Sequence, residues 1–141
     1  MPGPSVAVST AVMRLARELR AALDRAFDDL GLTSQQAALL IHMVTGATSP
    51  KELAGLLGVD TAGMTRMLDR LERKGLVTRA ADPDDRRAVR VSPTPAGAAL
   101  VPRLAPIFDR VSAALVGDLD ARDLTRTVEA LLANLHDADA R

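Results

Sequence analysis

The feature that most constrains this chain is its punctuation, because four capped helix starts and one tight turn follow in order between residues 33 and 97. Thr33-Ser34-Gln35-Gln36 reads as a capping box. In that motif the hydroxyl accepts an amide three residues on, and the glutamine side chain reaches back. Ser49-Pro50-Lys51-Glu52 is a second box, with proline at the first helical position, where no N–H is missed. Asp60 caps a third helix that stops at Gly75. Asp82-Pro83-Asp84-Asp85 has strong turn chemistry, and Thr94-Pro95 opens a further helix.

The apolar spacing fills in the elements between these marks. Val12, Leu15, Leu19, Leu23, Ala26, Phe27 and Leu30 recur at helical intervals, which predicts a helix from a Ser9 or Thr10 cap to about Leu30, ended by Gly31. Residues 1–8, with Pro2, Gly3 and Pro4, read as a loose tail. The helix after Thr33 is apolar on nearly every side to about Val44, so burial from several directions is expected. Leu53, Leu56 and Leu57 give the next, short helix one apolar side, and Gly58 stops it. Residues 76–81 and 88–92 flank the turn and predict a hairpin. A helical stretch from Thr94 to about Val116 is interrupted by Pro102 and Pro106. Asp120 caps the last helix, which shows Leu124, Val128, Leu131 and Leu135.

Composition removes several function classes. Without cysteine there is no disulfide, thiolate metal site or thiol redox sensor. Aromatic residues are 1% of the chain, which leaves no platform for stacking single-stranded bases. The formal net charge is zero, so any nucleic-acid surface must come from how charge is distributed. No apolar run is long enough for a membrane span, and the N-terminus lacks the basic start of a secretion signal. A cytoplasmic protein with no membrane partner is expected. No nucleophile elbow, phosphate-binding glycine loop or zinc-protease motif occurs, and His42 and His136 have no metal-ligand spacing. The expectation is a protein that is not an enzyme and carries no cofactor and no metal.

A short capped helix, a turn at Gly58-Val59-Asp60, a second helix and a basic hairpin follow the winged helix-turn-helix order. In the second helix Met64, Met67, Leu68 and Leu71 share one face, expected to be buried. Ala62, Thr65, Arg66, Asp69 and Arg73 share the opposite face, flanked by Gly63 and Arg70. Small and hydrogen-bonding residues near the helix start, with an arginine in reach, suit entry into a major groove. An ordinary solvated amphipathic helix would show the same pattern, and the flanking elements favour the groove reading. The hairpin tip carries Asp84, Asp85, Arg86 and Arg87, with Arg90 on the return strand. An arginine there can enter a minor groove, and a carboxylate can hold it by a bidentate pair. On composition alone, a merely solubilising turn explains the tip equally well.

The run Asp82-Pro83-Asp84-Asp85-Arg86-Arg87-Ala88-Val89-Arg90-Val91, with Thr94 and Gly97, resembles the wing signature of the MarR family of bacterial regulators. Met64 to Val77 resembles that family's recognition helix and exit, and Leu32 to Gln36 its approach to the second helix. The likeness spans about residues 10–137. It implies a mainly α fold with a small β-hairpin wing: a winged helix-turn-helix at residues 32–97 between dimerisation regions at 1–31 and 98–141. It also implies a regulator, a repressor in the first instance, binding a pseudopalindromic double-stranded DNA site as a homodimer and released by a small-molecule effector. By the resemblance Thr65, Arg66 and Arg70 touch bases or phosphates, Asp85 is the wing aspartate and Arg87 the minor-groove arginine. His42 reads as a satisfied core histidine or as a lining residue of an effector pocket. Pro93 stands where the family usually has leucine, which predicts an early end to the return strand, and Pro102 predicts a bend in the helix after it. The competing reading is a winged-helix module for protein contacts or dimerisation, without sequence-specific DNA binding.

Overall fold

The computed structural model describes residues 3–141 as six helices and one hairpin. In chain order these are α1 (Pro4–Phe27), a 3-10 turn (Asp28–Leu30), α2 (Ser34–Val44), α3 (Pro50–Leu57), α4 (Thr61–Arg73), β1 (Val77–Ala81), β2 (Val89–Pro93), α5 (Pro95–Val116) and α6 (Ala121–Asp139). The strands pair antiparallel, from Val77 opposite Pro93 to Ala81 opposite Val89.

The first helix starts earlier than its hydroxyl residues predict. Gly3 is its extended N-cap and Pro4 its first residue, pre-set at helical φ. Ser9, expected as a cap, instead donates its hydroxyl to the Ser5 carbonyl within the helix (3.1 Å). The predicted tail is therefore helical from Pro4 on, while Met1 and Pro2 lie outside the described residues. At the other end the chain tightens into the 3-10 turn, and Gly31 turns left-handed at φ 66°.

The Thr33 box forms complete: the Gln36 amide donates to Thr33 Oγ1 (3.2 Å) and the Thr33 amide to Gln36 Oε1 (3.1 Å). The Ser49 box forms by half, with the Glu52 amide donating to Ser49 Oγ at 3.4 Å and no return bond from the Glu52 side chain. Phe27, Leu39, Leu40, Leu53, Met64, Leu68, Leu71, Val77, Val91 and Leu104 form one core that joins α1–α5 to the hairpin. Phe27 and Phe108 pack with ring centroids 4.9 Å apart. Leu56 departs from its expected place beside Leu53 and lies exposed on α3.

Pro93 does not shorten the strand; it is the last residue of β2. Strand N–H groups point alternately to the two sides. The Val91 amide points away from β1 and donates to the Thr48 carbonyl (2.9 Å). Position 93 shares that side, so proline removes no bond from the β1–β2 ladder. Likewise α5 is continuous through Pro102 and Pro106, rather than interrupted at them. Both prolines, and the Ala98 residue whose carbonyl Pro102 leaves without its helical donor, are exposed, so water can satisfy what the ring cannot.

Gly97 is a packing requirement. Thr94 Oγ1 accepts the Gly97 amide (3.1 Å) and donates to the Gly75 carbonyl (2.6 Å), which draws the start of α5 onto the exit from α4. A Cβ on Gly97 would lie 2.1 Å from the Leu76 carbonyl oxygen, closer than any relaxed contact permits. Gly97→Ala is expected to lower unfolding free energy by about 2–3 kcal/mol, as overpacking of a backbone contact does. A urea midpoint shifted down at unchanged slope would show this, and an unchanged midpoint would contradict it.

Candidate nucleic-acid interface

Helix α4 is held at its start by Asp60, whose Oδ1 accepts the Gly63 amide at 2.6 Å. Its inner face buries Met64, Leu68 and Leu71, with Met67 half-buried. The expected outer face is present: Ala62, Thr65, Arg66, Arg70 and Arg73 are exposed, and Gly63 is half-buried beside the cap. Thr65 donates its hydroxyl to the Thr61 carbonyl (3.0 Å), which fixes the rotor and leaves oxygen lone pairs and a methyl group outward. Arg73 lies back along the helix, its Nε 3.4 Å from the Asp69 carbonyl.

Two cations not singled out by sequence reasoning organise this helix. Arg79, on β1, donates from Nη2 to Asp69 Oδ1 (2.5 Å) and from Nε to Glu72 Oε2 (3.0 Å). The Glu72 carboxylate first, and then that of Asp69, raise the guanidinium above its already high ordinary value. Asp69, expected on the outer face, is therefore half-buried under the wing strand. Lys74, at the end of α4, donates to the Gly31 carbonyl (2.5 Å) and to Gln36 Oε1 (3.1 Å). Neither partner set is local in sequence, so the fold reveals them; for Lys74 alone, a cation at the end of a helix is the available signal.

The wing tip is closed by the Asp82 amide donating to the Ala88 carbonyl and the Ala88 amide to the Asp85 carbonyl, both at 3.0 Å. Asp85 takes a different role from the one expected. Its Oδ1 accepts the backbone amide of Arg87 (3.0 Å), and no ion pair joins its carboxylate to Arg86 or Arg87. A side chain two residues back reaches an amide more readily than a mobile exposed guanidinium, as in an Asx turn. Asp85 therefore shapes the loop and leaves the arginine heads outward.

Arg66, Arg70, Arg86, Arg87 and Arg90 are exposed and make no ion pair or side-chain hydrogen bond among the described residues, and Arg73 makes only its backbone bond. The helix and the wing also share one concavity: Thr61, Met64 and Thr65 line an open hollow of about 740 Å³ with Ala88 and Val89 of the hairpin and Pro50 of α3. A ridge of small and acceptor groups beside a set of uncompensated guanidiniums is a surface for a rigid polyanion.

Among the described residues no cluster of His, Cys, Asp and Glu could hold a metal ion, and no helix is long and apolar enough to cross a membrane. His42 is half-buried and faces a shallow hollow of about 290 Å³ between α2 and α5, with Ala38, Ile41, Ala105, Phe108 and Asp109. A second open cleft, about 460 Å³, separates α1 and α2 from α4 and is lined by Arg20, Asp24, Gln35, Asp60, Arg66 and Arg70.

Residues 32–89 match the MarR family profile. The chain is 30% identical to E. coli MarR, solved as a mutant in complex with operator DNA, across 92% of this chain and 94% of that one, with a TM-score of 0.78. This chain belongs to the MarR family. Another MarR-type neighbour is Bordetella bronchiseptica BpsR, 25% identical over 97% of this chain and 98% of that one, with a TM-score of 0.81; its structure addresses regulation of DNA binding by 6-hydroxynicotinic acid. S. aureus MepR, solved with DNA, shares the fold at 24% identity, a TM-score of 0.78 and coverage of 92% and 96%. The MarR profile spans α2, α3, α4, β1 and the wing tip, the segments that carry Arg66, Arg70, Arg73, Arg86 and Arg87, and ends just before Arg90.

Proposed function

We propose that this MarR-family regulator is a cytoplasmic homodimeric repressor that binds a pseudopalindromic duplex site. In this reading residues 32–97 form the DNA-binding unit, and residues 1–31 and 98–141 the dimerisation region. Helix α4 enters the major groove, with Ala62, Gly63, Thr65 and Arg66 toward base edges and Arg70 and Arg73 toward phosphates. The wing places Arg86 and Arg87 at the neighbouring minor groove, with Asp85 shaping the loop.

The observation that supports this most is the division of charge on α4 and the wing. The two acids on the body of α4, Asp69 and Glu72, are taken up by Arg79, and the Asp85 carboxylate of the wing is engaged by a backbone amide. The arginines around them keep their charge uncompensated, although the chain has zero net charge. A protein-contact module has no use for such sorting, and a polyanion does.

A small molecule that favours a DNA-incompetent spacing of the two recognition helices would release the site. The hollow beside His42 lies between α2 and α5, where an occupant could bias that spacing.

The test is a fluorescence-anisotropy titration against duplexes selected from a randomised pool, repeated across salt concentrations. Expected is tight binding to the selected duplexes, with log affinity falling linearly against log salt by about 0.9 per phosphate contacted. Equal affinity for selected and random duplexes, or none at about 50 mM salt, would overturn the assignment.

A further inference from the structure

Helix α4 packs mainly on α3 and β1, whereas α1 packs on α2 and α5. The space between α4 and the α1–α2 pair is largely the open cleft of about 460 Å³. At one end of that space a continuous hydrogen-bond chain crosses from α1 to the end of α4. Asp24 of α1 accepts from both the amide (2.8 Å) and the hydroxyl (2.6 Å) of Ser34, the first residue of α2. Thr33 and Gln36 close the capping box one step further on. Gln36 Oε1, already accepting from the Thr33 amide, accepts also from Lys74 Nζ (3.1 Å). The same ammonium donates to the Gly31 carbonyl where the chain leaves α1 (2.5 Å). These two bonds are the only hydrogen bonds between α4 or its cap and the α1–α2 segment among the described residues.

The geometry points to Lys74 as a positioning residue for DNA recognition: its ammonium, shared by Gly31 and Gln36, sets the distance of α4 from α1 and so selects the half-site spacing that the dimer reads. The inference rests on the proposed function, in which α1 contributes to the dimer and α4 reads DNA. Apolar packing under Leu68 and Leu71 holds α4 to the core but is non-directional. A charge-assisted pair of bonds at the far end of the helix fixes its reach, as a lever is fixed by a pin. One base pair shifts a half-site by about 3.4 Å along the axis, so loosening that pin bears directly on which spacing fits.

The experiment takes duplexes selected by the wild-type protein from a randomised pool and rebuilds them with half-sites one base pair nearer or farther. Affinities for the three spacings are then measured with wild type, Lys74→Met and Gln36→Glu. Lys74 is exposed, so methionine is accommodated without a buried void. Glutamate at 36 keeps the capping-box acceptor and offers the ammonium a carboxylate. Lys74→Met is expected to lose about tenfold in discrimination between spacings, the scale of one charge-assisted bond, with its salt slope unchanged. Gln36→Glu is expected to retain the wild-type preference. If Lys74→Met keeps the preference the proposal fails, and a salt slope shallower by about one unit would then make the lysine a phosphate contact. The proposal fails also if Gln36→Glu broadens the preference as far as Lys74→Met does. Failure of the wild type to select any duplex would instead refute the DNA-binding reading.

Discussion

Placing a charge on α6 is expected to break the protein into monomers and to remove site-specific DNA binding. Helix α6 is 19 residues long and buries none of them within its own chain. Val128 is 52%, Leu131 41% and Leu135 63% exposed, and on α1 Val12 and Leu15 are equally uncovered. Most of a helix's stability in a protein comes from packing its amphipathic face, so a partner surface must support this one. A second copy supplies one most economically, because a two-fold axis matches each apolar face to itself. Leu131→Glu with Leu135→Glu would then set four carboxylates at the two-fold seam. The winged core contains no α6 residue and should stay folded. Light scattering at micromolar concentration is expected to give the mass of one chain. Affinity for the selected duplex is expected to fall at least about a thousandfold, to the level of random DNA, since one half-site alone remains. A dimeric mass, or a monomer with undiminished affinity, would remove the two-fold model.

What the sequence makes legible here is whatever is encoded locally. Thr33, Ser49, Asp60, Thr94 and Asp120 each accept the amide that their positions predict. The recognition-helix face can be read directly, because a 3.6-residue period sorts Met64, Leu68 and Leu71 from Thr65, Arg66 and Arg73. The misplacements have a common cause, which is that a residue had two local options and tertiary structure chose between them. Ser9 could cap or bond back within a helix, and Pro4 opened the helix first. Asp85 could hold a guanidinium or an amide, and the closed tip favours the amide. Pro93 sits where the strand needs no donor, a fact set by Thr48 pairing on the other side. The Lys74 and Arg79 ties lie beyond local reading altogether, joining residues 43 and 10 positions apart. Both govern the pose of α4 rather than its surface, so the candidate contact residues could be read from sequence while their positioning could not.

Arg66 and Arg87 are expected to fail in different ways when truncated. Arg66 is exposed in the second turn of α4, next to a cap that keeps the helix start close to whatever it meets. At a major-groove edge guanine offers two acceptors, and a guanidinium can satisfy both at once. Arg66→Ala should therefore cost about 1–3 kcal/mol on the selected duplex and little on random DNA. Arg87 projects from a hairpin tip, where the surface it meets is phosphate and a narrow minor groove, so its contribution is charge and shape. Arg87→Ala should weaken binding to both duplexes and make the salt slope shallower by about one unit. Asp85→Ala is expected to act through the loop. Because Asp85 holds the Arg87 amide, its loss loosens the loop without removing charge. Affinity should drop on both DNAs by less than with Arg87→Ala, and the salt slope should be unchanged. Titrating the three variants on selected and random duplexes at several salt concentrations separates these roles. Equal weakening of both DNAs by Arg66→Ala would make it a phosphate contact. A shallower slope with Asp85→Ala would mean that its carboxylate orients the guanidinium after all, once DNA is bound.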